Sequence, residues 1–327
     1  MKMEDLDGAD LCFPQLINIS CKKPAPPQTE DLVLYAVMFS VSLLTVVLNL
    51  LVIISVSHFR QLHTPTNILL LSLAVSDFLV GLVIIQFEFL VRKACWFLGN
   101  FACSMYHYTG FVITSASVGD MVLISVDRYV AICDPLHYHT RITEGRVKLW
   151  VCLCWLFSGL YNILFLKTQI GNSCYGECII DIDLIGGTVD FIVTFILPVA
   201  AIIFLYMRVF VVAVSQARAM RSHTAAVTLQ PSMNLSSKKS ELKAAGILGI
   251  VVFVFLMCFC PYYFIMLVGG SAFFTVSVFF FLFNCSSCLN PLIYALFYPW
   301  FRKAIKLIVT LQILKPDSCE ANILQRC

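Results

Sequence analysis

Charged residues are scarce in this chain. Lys, Arg, Asp and Glu make up 13% of its 327 residues, and the hydrophobic set makes up 60%. A soluble domain carries about 25% charge and about 45–50% apolar residues. With half the usual charge a water-facing surface cannot be covered, which excludes a soluble enzyme, a nucleic-acid binder and a disordered chain. The net charge of +3 names no polyanionic partner. Internal repeats and low-complexity tracts are missing too. The start, Met1-Lys2-Met3-Glu4-Asp5, has no short apolar stretch with a cleavage site. No cleaved signal peptide is expected, and the first apolar segment serves as its own signal-anchor.

Long apolar runs are abundant. Spanning a bilayer as a helix takes about 20 mainly apolar residues. Seven such runs occur, at roughly 32–57, 67–91, 102–126, 148–167, 188–212, 244–268 and 272–298. They are too long and too even for barrel strands, which alternate over about 10 residues. Backbone groups in lipid must be bonded within the segment, so the expected fold is an all-α bundle of seven transmembrane helices. An outer tail precedes it at 1–31, and an amphipathic helix and cytoplasmic tail follow at 299–327. Segments on the C-terminal side of the membrane, 58–66, 128–148, 208–243 and 299–327, hold 16 of the 22 basic residues. The basic side is cytoplasmic, so the N-terminus is outside. Asn18-Ile19-Ser20 is then a usable glycosylation sequon, while Asn234-Leu235-Ser236 lies inside and stays bare. Of 15 cysteines, Cys12, Cys21, Cys95, Cys103, Cys174 and Cys178 face the oxidising exterior. Their pairing is open on spacing alone.

Polar residues at membrane depth are costly and so mark function. Asp77 lies deep in the second segment and Asn49 in the first. Ser117, Ser286, Ser287 and Asn290 lie at similar depth, and oxygens around one carboxylate suit a small hard cation such as sodium. Asp127-Arg128-Tyr129 ends the third segment at the inner face, where Arg128 can pair with Glu241 at the start of the sixth. Asn290-Pro291-Leu292-Ile293-Tyr294 puts a proline inside the seventh helix. That frees a backbone carbonyl, which Asn290 is expected to rebond. Phe259-Cys260-Pro261 kinks the sixth, with Tyr262 and Tyr263 just outward.

In this order and on these segments, the motifs resemble those of rhodopsin-like G-protein-coupled receptors over residues 30–312. Asn49, Asp77, Trp155, Pro198, Pro261 and Pro291 fall at that family's helix landmarks. The resemblance implies a Cys103–Cys178 disulfide. A narrower likeness follows. From Ser287 the chain reads Ser-Cys-Leu-Asn-Pro-Leu-Ile-Tyr-Ala-Leu-Phe-Tyr-Pro-Trp-Phe. This is similar to the seventh-helix motif of the trace-amine-associated receptors, except that Ser286 replaces its leading Asn. The same likeness implies a Cys21–Cys174 bridge, a small amine ligand, an olfactory role and a stimulatory heterotrimeric G protein as partner. Cys12 and Cys95 stay unassigned.

One feature of amine receptors is missing. Counting seven from Cys103 reaches Gly110, where most amine receptors hold an aspartate. Three acids lie at depth in the segments: Asp77, Asp120 and Asp190. Asp77 belongs to the polar cluster. Asp120 is read as structural, bonded by Ser72 and Trp155. Asp190, eight residues before Pro198, lies at the depth of the family's pocket. One fish group of trace-amine-associated receptors resembles this arrangement, with the aspartate on helix five instead of helix three. A carboxylate in a semi-buried pocket needs a cation, and an ammonium supplies it. The expected lining is Asp190, Gly110, Phe259, Tyr262, Tyr263, His107 and Asn284, with Glu88 for a second amine. Hydrogen bonds from Thr194 or Thr188 are the plain alternative for Asp190. Phe259 replaces the family's usual tryptophan. Ile85-Gln86-Phe87 lacks the proline common in amine receptors, so the outer second helix is expected to run straighter. Residues Phe297 to Leu311 resemble the family's eighth helix, with Arg302, Lys303 and Lys306 toward lipid headgroups.

Other classes fit poorly. A transporter would show inverted repeats. A retinal-binding opsin needs a lysine in the seventh helix, and none occurs between Lys243 and Lys303. The six histidines are scattered, which gives no enzyme site or metal-ligand set. The rival within receptors is a peptide, lipid or neutral odorant ligand.

Overall fold

The computed structural model describes residues 11–16, 18–24, 28–167, 174–179, 182–226, 246–261, 263, 273–316, 318–320 and 322–323. Its helices are α1, Thr29–His58; α2, Pro65–Leu79 continued through Val80–Ile84 into Ile85–Lys93; α3, Gly99–Cys133; α4, Glu144–Lys167; α5, Leu184–Phe191 continued through Ile192–Ile196 into Leu197–Ala226; α6, described over Gly246–Pro261; α7, Phe273–Phe297; and α8, Pro299–Val309. The helices outrun several apolar segments because backbone pairing continues into water, where apolarity no longer marks it. Among the described residues β-structure is limited to two isolated bridges, Leu11↔Lys22 and Ser20↔Tyr175.

The helix starts are chemically marked. Asp31 accepts from the Gln28 N–H at 3.0 Å. Thr64 accepts from the Asn67 N–H at 3.3 Å ahead of Pro65. Asp183 accepts from the Gly186 N–H at 3.1 Å. Each satisfies a donor that the first helical turn leaves open.

The central helix is α3, packed on α2, α4 and α5. Large apolar side chains of α4 and α5, such as Leu160, Leu164, Phe204 and Phe210, face outward, as a lipid-facing surface requires. The inner core gathers Leu69, Leu73, Met121, Ile124, Phe255, Tyr294 and Phe301.

Polar side chains tie the helices together, and several make bonds other than those expected. The carbonyl of Ser287, four residues before Pro291, accepts from Asn49 Nδ2 at 2.9 Å. The expected rebonding by Asn290 is therefore corrected: Asn290 Nδ2 donates instead to Asp77 Oδ2 at 2.8 Å. Asn49 is close enough because α1 packs directly on α7. Asp120 accepts from Ser72 Oγ at 2.7 Å, but Trp155 Nε1 donates to Ser72 Oγ at 3.0 Å. Trp155 thus supports Asp120 through Ser72 and not by a direct bond.

The outer half of α2 runs on as one span through Glu88. Without proline, it still widens into a π-helical turn at Val80–Ile84. The Gly81 carbonyl there accepts from Ser42 Oγ at 2.8 Å, and Gln86 Nε2 donates to Ser42 Oγ at 2.6 Å. Ser42 of α1 thus supplies a partner to a turn whose own ladder is interrupted, and Gln86 of α2 donates to that same hydroxyl. A second π turn, Ile192–Ile196, interrupts α5. Such turns often mark functional sites.

After α7 the chain bends by 102° into α8. Trp300, Phe301 and Ala304 are buried on one face of α8. Arg302 Nη1 donates to the carbonyls of Ala295 at 3.0 Å and Leu296 at 2.8 Å. The last carbonyls of α7 need donors and attract a cation, and the Arg302 side chain stays exposed. Lys303 is half-buried and Lys306 exposed.

Candidate ligand pocket and cytoplasmic switch

Asp190 is the last residue but one of the first segment of α5, two positions before the π turn begins. Thr194 Oγ1 donates to the Asp190 backbone carbonyl at 2.7 Å, and Thr188 Oγ1 to the Leu184 carbonyl at 2.6 Å. The Thr194 hydroxyl also lies within reach of the Asp190 carboxylate, as the plain alternative expects, whereas Thr188 bonds within its own helix. The Tyr161 hydroxyl of α4 is directed at that carboxylate. Asp190 Oδ1 is buried and has no hydrogen-bond partner. An orphaned carboxylate oxygen in a low-dielectric site is costly unless a cation meets it.

Aromatic rings stack between α5 and α6. Tyr263 stacks on Phe195 at 4.2 Å between centroids and lies 5.5 Å from Phe191. Phe259 is buried against Phe255 at 3.9 Å and Phe283 at 4.2 Å. Tyr262 lies outside the described residues. At Gly110 an added Cβ would meet only Ile84 Cδ1, at 3.4 Å. Helix α3 presents no acid there, and the space is ordinary contact distance.

The second acid sits elsewhere on the wall. Glu88, on α2 just past its own π turn, is buried and accepts from the Tyr106 hydroxyl at 3.0 Å. Tyr106 is one helical turn before Gly110. Asn284 on α7 is buried. His107 Nε2 lies 3.4 Å from the Cys178 carbonyl.

Above the pocket, three disulfides join the outer segments: Cys103–Cys178, Cys21–Cys174 and Cys12–Cys95. The last was not assignable from sequence, because tertiary folding alone brings positions 83 residues apart together. The Cys21 N–H donates to the Tyr175 carbonyl at 2.8 Å, and the Trp96 N–H to the Gly176 carbonyl at 2.9 Å. Gly176 has φ +110°, and an added Cβ would lie 2.6 Å from Cys12 Cβ. Both its backbone and its surroundings exclude a side chain. Gly176→Ala is therefore expected to lower surface delivery several-fold and to leave Cys12 and Cys95 as free thiols, measured by flow cytometry and thiol mass mapping. Asn18 is exposed on the same cap.

At the membrane's middle, Asp77, Asn290, Ser76 and Ser117 form a buried polar cluster. Ser117 Oγ donates to Ser76 Oγ at 2.9 Å, and Ser286 Oγ to the Phe283 carbonyl at 2.9 Å. Both hydroxyls keep lone pairs, and Asn290 Oδ1 is buried without a partner. This donor set is all oxygen, which fits a small hard cation.

At the inner face Asp127 gathers donors. Its Oδ2 accepts from Arg128 Nε at 3.0 Å, Arg128 Nη2 at 2.5 Å and Thr66 Oγ1 at 2.9 Å; its Oδ1 accepts from the Tyr138 hydroxyl at 2.9 Å. Arg128 Nη2 also donates to Thr66 Oγ1 at 2.6 Å. Burial first, and the Asp127 charge second, push the Tyr138 phenol up to about 12. It therefore stays a donor at cytoplasmic pH. Glu241 lies outside the described residues. Tyr129 packs with Ile132 and Val209. Tyr294, just past Pro291, is buried, and its hydroxyl, like that of Tyr206, has no partner.

Comparison with known proteins agrees with this geometry. The family model for the 7 transmembrane receptor (rhodopsin family) matches residues 48–294. The chain is 35% identical to trace amine-associated receptor 13c of Danio rerio, over 99% of this chain and 98% of that one. It is 34% identical to trace amine-associated receptor 1 of Macaca mulatta, over 94% and 96%. It is 36% identical to trace amine-associated receptor 9 of Mus musculus, over 96% and 94%. Its relatives are receptors and not enzymes, and the apolar helices place it across the plasma membrane as a multi-pass protein with its N-terminus outside. By its match to the family model and to these relatives over nearly its whole length, this chain belongs to the trace amine-associated receptors of the rhodopsin family.

Proposed function

We propose that this receptor senses small amines from outside and signals through a stimulatory G protein to cAMP. The ammonium is anchored by Asp190. The observation that carries this reading is the buried Asp190 Oδ1 without a partner; the rings of Phe191, Phe195 and Tyr263 stack on one another where α5 meets α6. Ring faces attract a cation. The names of its relatives agree with an amine ligand, and the olfactory role follows from the same resemblance.

Activation is a population shift between a closed and an open inner face. An amine drawn between α5 and α6 favours the bent form of α6 through Tyr263 and Phe259. The inner end of α6 swings out, Arg128 leaves Asp127, and the cleft takes the G protein. Asp77, Ser117, Ser286 and Asn290 would hold a sodium ion, whose charge would favour the closed form. Asn18 carries an N-glycan.

The test is a surface-tagged receptor with a cAMP reporter, challenged with monoamines, diamines and neutral odorants. A cAMP rise with amines supports the reading. Silence to every amine, with a response to neutral odorants, sinks it.

Glu88 extends the site to diamines. Glu88→Gln keeps the bond from Tyr106 but loses the charge. It is expected to lower diamine potency about tenfold, the equivalent of about 1.4 kcal/mol, and to leave monoamine potency unchanged. Equal losses for both ligand classes would reject the second anchor.

A further inference from the structure

The chain turns back after α8. Leu311 has φ +57°, a left-handed conformation that residues other than glycine rarely adopt. The segment that follows lies against the first inner loop, Arg60–Leu62. Four contacts hold it. The Ile323 N–H donates to Gln61 Oε1 at 3.1 Å. The Ile323 side chain is 2% exposed, in the core cluster that holds Phe59, Leu62 and Trp300. Glu320 pairs with Arg60 at 3.3 Å, both side chains well exposed. Ser318 Oγ donates to the Ile313 carbonyl at 2.6 Å and lies 3.0 Å from His58 Nε2. The hydroxyl has one proton, given to Ile313, so His58 Nε2–H donates to it.

We propose that residues 312–323 form a strap closed on the first inner loop, and that phosphorylation of Ser318 releases it. The strap has one buried anchor, Ile323. Its ion pair is exposed and therefore weak, so the strap opens by itself at times. Ser318 lies between Asp317 and Glu320 in the sequence, which suits a serine kinase with a basic substrate groove. The kinase acts on the open form. Ser318 Oγ attacks the γ-phosphorus of ATP, the bond from that phosphorus to the bridging oxygen breaks, ADP leaves, and the hydroxyl proton is released.

Reclosure is then opposed on three counts. The ester oxygen has no proton, so it faces the Ile313 carbonyl at 2.6 Å as one acceptor against another. The new charge sits near Glu320, and Asp317, the preceding residue in the sequence, is of like sign. The cation within reach is an Arg60 already paired with Glu320, and exposed pairs of this kind contribute little. Loss of the donor and like-charge repulsion therefore win.

Cys319 is a half-buried free thiol within the strap and reports its state. The full-length receptor, in inside-out membrane vesicles, would be alkylated with a membrane-impermeant maleimide, and Cys319 labelling followed by peptide mass spectrometry. Ile323→Asp is expected to label several-fold faster than wild type. Ser318→Glu, and wild type treated with an acid-directed serine kinase and ATP, should match it. Wild-type rates in Ile323→Asp would overturn the strap itself. Fast labelling in Ile323→Asp, with unchanged or slower labelling in both Ser318→Glu and the phosphorylated receptor, would overturn the phosphate control.

Discussion

Asp190→Asn is expected to reach the cell surface in normal amounts and to lose its amine response. Asn has the shape of Asp, and the backbone bond from Thr194 is untouched, so the fold has no reason to change. What disappears is the negative charge facing the ligand. Removing one partner of a buried ion pair costs about 3–5 kcal/mol. Asp190 is only partly buried, so a loss of about 2–3 kcal/mol is the better expectation. At about 1.4 kcal/mol per decade, potency should fall roughly 30- to 140-fold. Concentration–response curves at matched surface level decide it, and equal potency in the two proteins would move the anchor away from α5. A companion change sharpens the point. Gly110→Asp on the Asp190→Asn background puts a carboxylate on α3, where an added Cβ meets only Ile84 Cδ1 at 3.4 Å. Part of the monoamine response should return.

Asp127→Asn should raise basal cAMP with no ligand present. Asp127 accepts four hydrogen bonds on its two oxygens. An amide keeps one acceptor oxygen and no charge, so it cannot serve Arg128, Thr66 and Tyr138 together. Arg128 is 4% exposed, and a guanidinium so deeply placed is sensitive to losing its adjacent carboxylate. A loss of about 2 kcal/mol from the closed form alone would change the closed-to-open ratio about 30-fold. Tyr138→Phe removes one bond to the same acid, a change of about 1 kcal/mol, and should give a smaller rise. Basal cAMP in Asp127→Asn equal to wild type, at equal surface level, would remove Asp127 from the closing device.

Several features were legible in the sequence because they depend on short stretches of chain. Apolar run length marks a membrane span, and the basic residues of the connecting segments mark the inner side. Asp77, Asn290 and Pro291 stood out because a carboxylate, an amide and a proline at membrane depth each violate a local rule. Asp190 stood out in the same way once Gly110 was found where an acid was due. Partner choice was less legible. Asn49, and not Asn290, takes the Ser287 carbonyl, because α1 lies beside α7. Trp155 reaches Asp120 only through Ser72. Arg302 serves the last carbonyls of α7.

The sequence by itself determined that this chain is a seven-helix membrane receptor, which way it faces and which acids lie at pocket depth. These follow from hydrophobicity and charge along the chain, which are local quantities. Only the tertiary structure decided that Asp190 keeps an oxygen without a partner, that Cys12 meets Cys95, that π turns interrupt α2 and α5, and that Ile323 folds back onto the first inner loop. The physical reason is the same in each case. Hydrogen-bond partners, disulfide mates and buried anchors are chosen by proximity in space, and residues 83 to 262 positions apart become neighbours only when the helices pack.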